Sequence, residues 1–267
     1  MPAHPPIINV MVKAAEAAAK SLTRDFGEVE QLQVSQKGPS NFVSAADLRA
    51  EEILYTSLKK SRPDFAFIME ERGAIAGNTD EKCWHVDPLD GTHNFIHGIP
   101  HWCISIGLQE GNEITAGVIL DPVKDELFWA AKGAGAFMRH RRLRVSGRHE
   151  MHTALFASGS PAFQKGDHKL FWQEAGSIMR NTMGIRRMGS AALDLAYVAA
   201  GRFDGYWERG VNSWDVAAGC VIVKEAGGYV STLDEGEQVF SGKSIVASNP
   251  LLHKGLVGLL QENVKAA

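Results

Sequence analysis

An α/β fold is what this chain of 267 residues predicts, with helices then mostly antiparallel strands in its first half and alternating strands and helices in its second. Three observations carry that expectation. Apolar residues recur at helical spacing near the N-terminus, short apolar runs split by turn residues fill the stretch from Phe65 to Met138, and strand-like and helix-like runs take turns from Thr153 onward.

After Pro2, Pro5 and Pro6, the positions Ile8, Met11, Val12, Ala15, Ala18, Ala19 and Leu22 share one helical face. They predict an amphipathic helix of about four turns, packed on a sheet or a second subunit. Lys37-Gly38-Pro39-Ser40-Asn41 reads as a loop. From about Ala45, Leu48, Ile53, Leu54 and Leu58 mark a second helix that stops before Pro63, with Asp47 in its first turn, where negative charge is favoured. Phe65 to Met69 is a short strand that delivers Glu70 and Glu71, and Cys83 to Val86 a second that delivers Asp87. Trp102 to Leu108 and Ile114 to Leu120 form a hairpin across Glu110-Gly111-Asn112-Glu113, continued by Glu126 to Ala131 and Ala136 to Met138.

The second half predicts a strand from Thr153 to Ser158, a helix from Lys169 to Met179, a strand at Ile185 and a helix from Ala191 to Ala200. A strand Gly205 to Trp207, a helix Trp214 to Ala226 closed by Gly227-Gly228, a strand Ile245 to Ser248 and a helix after Pro250 follow. There is no internal repeat. Residues 1–267 read as one unit of two lobes, approximately 1–140 and 141–267, with Arg139 to His149 as the seam.

Composition narrows the function classes. A hydrophobic content of 45% is ordinary for a globular protein, and a net charge of -3 with a pI near 6.4 gives no global pull toward nucleic acid or anionic membrane. Cys83, Cys103 and Cys220 lie far apart without a Cys-x-x-Cys pair, which fits neither a disulfide framework nor a zinc ribbon. With no basic leader and no apolar run of about 18 residues, a cytoplasmic location is expected.

The chemistry concentrates in Asp87-Pro88-Leu89-Asp90-Gly91-Thr92, two carboxylates and a hydroxyl on a Gly-containing turn directly after an apolar strand. Two such acids repel by roughly 4 kcal/mol at 4 Å and an effective dielectric near 20, so a cation is the reason to hold them together. Carboxylates are hard ligands for Mg²⁺, and amides at Gly91 and Thr92 suit a phosphate where a helix starts. A helix cap explains Asp90 or Thr92 but not both acids. Asp215 opens the nearly all-apolar run Val216 to Val223, and an acid at the mouth of a buried helix needs a partner; a capping role is the alternative. Local physics does not choose between Glu70 and Glu71.

The run from Trp84 to Phe95, with Glu70-Glu71 upstream and Trp214-Asp215-Val216-Ala217-Ala218-Gly219 and Glu225-Ala226-Gly227-Gly228 downstream, resembles the inositol monophosphatase family of lithium-sensitive, Mg²⁺-dependent phosphatases. The similarity runs from about Lys37 to Gly228. It implies a layered αβαβα sandwich and a homodimer. It further implies that Glu70, Asp87 and the Leu89 carbonyl hold one Mg²⁺, that Asp87, Asp90 and Asp215 hold a second, and that Glu70 orients a third, weakly held ion through water. The Thr92 hydroxyl, bonded to Asp47, would position the attacking water, the amides of Gly91 and Thr92 would bind phosphate, and Asp90, Ala191 and Glu208 would contact the alcohol. The reaction implied is in-line hydrolysis of inositol monophosphate or a similar polyol phosphate without a covalent enzyme intermediate.

The chain departs from the family pattern at Met69, where Gly commonly precedes the acid pair, and at Arg72, where smaller residues are frequent. Lys37 is one residue out of register with the family's loop lysine and is left out of the site.

Three other signals compete. His93, His97 and His101 have a zinc-like spacing, but Gly98 and Pro100 break the helix it needs, so loop histidines near the site mouth are expected. The cysteines read as inert buried thiols. Arg139-His140-Arg141-Arg142-Leu143-Arg144, with Arg148, can contact nucleic acid, yet its alternation fits a half-exposed strand from Arg142 to Val145 and lacks interleaved aromatics. Arg186-Arg187 falls where the family has a subunit interface. The alternatives are a phosphatase for histidinol phosphate, fructose 1,6-bisphosphate or 3′-phosphoadenosine 5′-phosphate, and a regulatory partner in RNA-related processes.

Overall fold

The computed structural model describes residues 4–28, 34–36, 42–78, 81–161, 166–233, 236 and 244–265. Its first half runs α1 (Pro6–Phe26), β1 (Val34–Gln36), β2 (Phe42–Ser44), α2 (Ala45–Ser61), β3 (Ala66–Met69), β4 (Gly73–Ile75), β5 (Lys82–Asp90), α3 (Thr92–Ile96), β6 (Cys103–Glu110), β7 (Glu113–Asp121), β8 (Glu126–Ala131), β9 (Gly135–Met138) and β10 (Arg141–Arg142). The second half adds β11 (Leu155–Ser158), α4 (His168–Asn181), β12 (Gly184–Arg186), α5 (Ala191–Ala199), β13 (Gly205–Arg209), α6 (Ser213–Glu225), β14 (Tyr229–Ser231), β15 (Ser244–Ser248) and α7 (His253–Lys265).

Strands 3 to 10 make one sheet in the order β10-β9-β8-β7-β6-β5-β3-β4, antiparallel except for the β3–β5 pair. Five strands make the second, β12-β11-β13-β15-β14, in which β11 runs parallel to both β12 and β13. Side chains alternate across each strand, so both sheets feed two cores. Ile104, Ile106, Val118 and Trp129 pack with α1 and α2, whereas Cys103, Ile119 and Phe128 face α5 and α6. On the smaller sheet Ala157, Tyr206 and Ala247 meet that same helix pair, and Phe156, Trp207 and Val246 pack with residues of α4 and α7. The layers are therefore helix, sheet, helix, sheet, helix, the expected αβαβα sandwich.

The central layer sits unusually close to the large sheet. Gly107 of β6 pairs with Gly117 of β7, and a Cβ on either would fall 2.7 Å from α6, against Ala217 Cβ or Ala218 O. That bare patch lets α6 approach, so the start of α6 lies over the sheet near the end of β5.

Several local expectations change. The segment from Asp87 to Asp90 is the end of β5 rather than a turn. Leu48 is 51% exposed, and the buried face of α2 is instead Ala46, Ala50, Leu54 and Leu58 together with the acids Asp47 and Glu51. Only Arg141 and Arg142 of the basic run form a strand, although Leu143 is buried against the core and Arg144 exposed as the alternation predicts. Much of that run is engaged within the chain: Arg139 pairs with Asp125, Arg148 with Asp204, and Arg142 lies 6.0 Å over the Phe137 ring. Residues 37–41, read from the sequence as a loop and including Lys37, lie outside the described residues.

Candidate active site

The two acids of β5 face the same way because of a bulge. Asp87 pairs with Ser105 and Asp90 with Cys103, so three steps on β5 match two on β6. Pro88 has no N–H to give the ladder, and the irregularity falls there. Without the extra residue, period-two alternation would send Asp87 and Asp90 to opposite faces; with it both point into the middle layer. Gly91, at φ 97°, then turns the chain into α3 in a backbone region that other residues rarely adopt.

Asp90 is received by the start of α5. Its Oδ2 accepts the Ser190 hydroxyl at 2.6 Å and the Ala192 amide at 2.7 Å, and Ser190 also caps α5 through Leu193 N at 3.3 Å. Ala191 is the first residue of that helix and its amide also bonds Asp90. Asp215, in the first turn of α6, accepts the Asn212 amide at 2.7 Å. The capping role is thus real, and it coexists with a second one. Burial pushes the Asp215 carboxyl well above its ordinary range against that amide bond, and the charges of Asp90, Glu70 and Glu208 add to the rise.

From the other side, α2 contributes Asp47, 1% exposed, and the β3–β4 turn contributes the acid pair. One oxygen from each of Asp47, Glu70 and Glu71 lies within 4.8 Å of the others. Both acids of the pair therefore reach Asp47. The Asp87 carboxyl is raised well above the usual range, first by burial and then by Glu70, Asp90, Asp215 and Asp47. Those leading neighbours are all negative. Asp87 and Asp90 of β5, Asp47 of α2, Glu70 of the β3–β4 turn and Asp215 of α6 are thus neighbours, hard oxygen donors whose chemistry a divalent cation fits.

Glu208, at the end of β13, stands on the α5 side. It accepts the buried Tyr206 hydroxyl, and burial, supplemented by Asp90, pushes its carboxyl up to about 7 against that bond and the Arg187 charge. Gly159 makes room for it: a Cβ there would fall 1.9 Å from the Glu208 carboxyl. Arg187 bonds Ser160 Oγ at 3.0 Å and is the nearby positive charge.

The Thr92 hydroxyl donates to the Leu89 carbonyl at 2.9 Å, where the resemblance implied Asp47 as its partner. A hydroxyl has one proton, and the i−3 carbonyl across the strand–helix turn is within its reach. His93 and His97 are exposed and α3 ends at Ile96, so no zinc face forms; His101 is buried rather than at a mouth, with Nδ1 3.4 Å from Lys124 Nζ. The cysteines are shielded thiols, Cys83 pushed up to about 11 and Cys220 to about 12. Sequence reasoning missed Ser190, Glu51 and Gly159. Ser190 carries a readable signal, since a serine before Ala191-Ala192-Leu193 is a helix cap; Glu51 and Gly159 carry none.

The chain is similar to known proteins over nearly its whole length. The model of the inositol monophosphatase family matches residues 4–265. Inositol-1-monophosphatase of Mesorhizobium japonicum is 49% identical over 260 residues, covering 97% of this chain and 98% of that protein. The Nus factor SuhB of Pseudomonas aeruginosa is 39% identical over 263 residues, 97% of each chain. The crystal structure of the extragenic suppressor protein suhB from Bartonella henselae superposes with a TM-score of 0.93 at 47% identity, over 97% of this chain and 99% of that one.

Proposed function

This chain belongs to the inositol monophosphatase family, and from that premise we propose that it is a Mg²⁺-dependent phosphomonoesterase acting on a small polyol phosphate, inositol monophosphate being the substrate that fits best. The observation that carries the reading is the gathering of acids, with oxygens of Asp47, Glu70 and Glu71 within 4.8 Å of one another and Asp90 held by the start of α5.

Glu70, Asp87 and the Leu89 carbonyl would hold one ion, Asp87, Asp90 and Asp215 a second, and Glu70 a weaker third. When bound, these cations neutralise the phosphate and stabilise the leaving oxygen of the alcohol. The chain supplies the rest. The amides of Gly91 and Thr92 open α3, where the first N–H groups have no intrahelical acceptor, and hold phosphate oxygens. With its proton on Leu89 O, the Thr92 hydroxyl offers a lone pair to a water, which Asp47 and Glu70 help to orient. Asp90, Ala191 and Glu208 meet the alcohol, and a carboxylate at Glu208 accepts hydroxyl protons, which selects a polyol over an apolar leaving group.

The whole chain works as one unit with lobes near 1–140 and 141–267, as a cytoplasmic homodimer inhibited by lithium. Phosphate release from a panel of monoesters, with and without Mg²⁺ and Li⁺, tests the reading. Release from inositol monophosphate only with Mg²⁺ is expected; a panel that yields no phosphate overturns it, and preference for histidinol phosphate, fructose 1,6-bisphosphate or 3′-phosphoadenosine 5′-phosphate reassigns the substrate.

Similarity to the Nus factor SuhB of Pseudomonas aeruginosa supports a second reading, an RNA-related regulatory role. Arg141 and Arg144 are exposed and available to it. Unaltered RNA binding after charge reversal of Arg141, Arg142 and Arg144 would remove that run from such a role.

A further inference from the structure

The turn that presents Glu70 and Glu71 is fastened to α2 by one arginine. Arg72 Nε lies 3.2 Å from Glu51 Oε1, its guanidinium also pairs with Glu52, and its Cζ stands 4.8 Å over the Tyr55 ring. The other Glu51 oxygen accepts the Glu71 amide at 2.8 Å and the Arg72 amide at 3.4 Å. Glu51 is only 1% exposed, so its charge is held in the protein by these partners.

The spacing on α2 gives the clamp its meaning. Asp47, Glu51 and Tyr55 recur every four residues and so stack along one side of the helix, Asp47 toward the acid cluster and the other two on Arg72. The same helix side therefore supplies one acid of the Asp47–Glu70–Glu71 group and the anchor for the other two. Three carboxylates within 4.8 Å repel when no cation lies among them, and an untethered turn would relieve that by swinging outward. The fork of Arg72 and the double acceptance by Glu51 oppose the swing.

We propose that Arg72, acting through Glu51, is a positioning residue for a cation held at the Asp47–Glu70–Glu71 group: it holds Glu70 and Glu71 against Asp47 and so sets how tightly those acids bind a divalent ion, while touching neither ion nor substrate. The inference rests on the phosphatase reading above. Partners that orient metal ligands change affinity by about 10- to 100-fold when removed, and preorganisation is the means.

The test uses the full chain and two readouts: calorimetric titration with Mn²⁺ and with Mg²⁺ in the absence of substrate, and the Mg²⁺ dependence of turnover. Arg72→Gln is expected to weaken cation binding about tenfold or more and to raise the half-saturating Mg²⁺ in parallel, with kcat at saturating Mg²⁺ within about twofold of the parent. Arg72→Lys keeps the charge without the fork and falls between. Glu51→Gln still accepts the Glu71 amide but loses the ion pair, and should weaken binding even where Arg72→Gln fails to fold. Glu52→Gln removes only a solvent-screened partner of Arg72, at a side chain 59% exposed, and should weaken binding less than Glu51→Gln. Parental cation affinity in a folded Arg72→Gln or in Glu51→Gln overturns the proposal, as does lost kcat with unchanged affinity. A parent chain that binds no divalent cation overturns the phosphatase reading instead.

Discussion

His85 Nδ1 lies 2.9 Å from the Ser213 hydroxyl and thereby joins the strand that carries Asp87 to the helix whose first turn holds Asp215. The proton positions follow from the neighbours. Gln109 Nε2 donates to Gly111 O at 2.7 Å, which turns its Oε1 toward His85 Nε2, also at 2.7 Å. Nε2 therefore carries the proton and Nδ1 accepts from Ser213. Burial lowers the His85 pKa and keeps the ring neutral at pH 7. A histidine whose folded pKa lies below its unfolded value supports the fold at neutral pH, and that support is lost as pH falls below about 6.5 toward the folded value. Ser213→Ala should cost about 1 to 2 kcal/mol in urea unfolding at pH 7 and lower turnover as well, because the two acid-bearing elements lose a tie.

Asp90→Asn should separate stability from function. The variant keeps an acceptor for Ser190 Oγ and Ala192 N while removing one charge from a group of mutually repelling acids. The metal-free protein is expected to melt at the same temperature as the parent or above it. The rise in Tm on adding Mg²⁺ should largely vanish, and turnover should fall at least about 100-fold, roughly the contribution of one lost charge-stabilising group. Parental Mg²⁺-dependent turnover in this variant would sink the site.

As the proposed contact of the alcohol, Glu208 should make substrate affinity pH-dependent. With its carboxyl pushed up to about 7, chiefly by burial, it is ionised above that pH and accepts hydroxyl protons, and protonated below it. KM for a polyol phosphate should therefore climb as pH falls from 8 to 6, and Glu208→Gln should flatten the profile. The stability sign is the reverse of that for His85. A carboxyl whose folded pKa exceeds its unfolded value favours the fold at low pH, and this advantage fades as pH rises through about 7.

What the sequence shows and hides divides along a physical line. Helix and strand periodicity is local, so α2, the hairpin of β6 and β7, and α6 are visible at nearly their observed bounds, and α1 is visible as a helix although its 21 residues exceed the roughly four turns its apolar face predicts. The acids of β5 are visible because like charges in close succession demand a cation. The bulge at Pro88 is hidden, since a proline before an acid also suits a turn, and only the pairing with Ser105 and Cys103 distinguishes them. Arg72 looks like a misfit beside Glu71 until its partners on α2, some 20 positions away, are in view. Asp215 reads as either cap or site residue; the fold makes it a cap and sets it among the acids, because Gly107 and Gly117 let α6 close on the sheet.

Gly159 offers a way to move one substrate contact without touching it. A Cβ at this position would overlap the Glu208 carboxyl at 1.9 Å, but that carboxyl is the end of a flexible side chain and can swing away. Gly159→Ala should therefore fold, at a cost of about 1 to 3 kcal/mol for the hydrogen bond it breaks. Its displaced Glu208 loses the Tyr206 hydroxyl, leaving a buried phenol short of its acceptor, and no longer sits where the alcohol binds. KM should rise about tenfold, or about 1.4 kcal/mol, with the Mg²⁺ requirement unchanged because the acids of β5 and α6 stay in place. Gly159→Ala combined with Glu208→Gln should be no worse than Glu208→Gln alone if the methyl acts only through that carboxyl. Additive losses in this double-mutant cycle would show that Gly159 meets the substrate by another route.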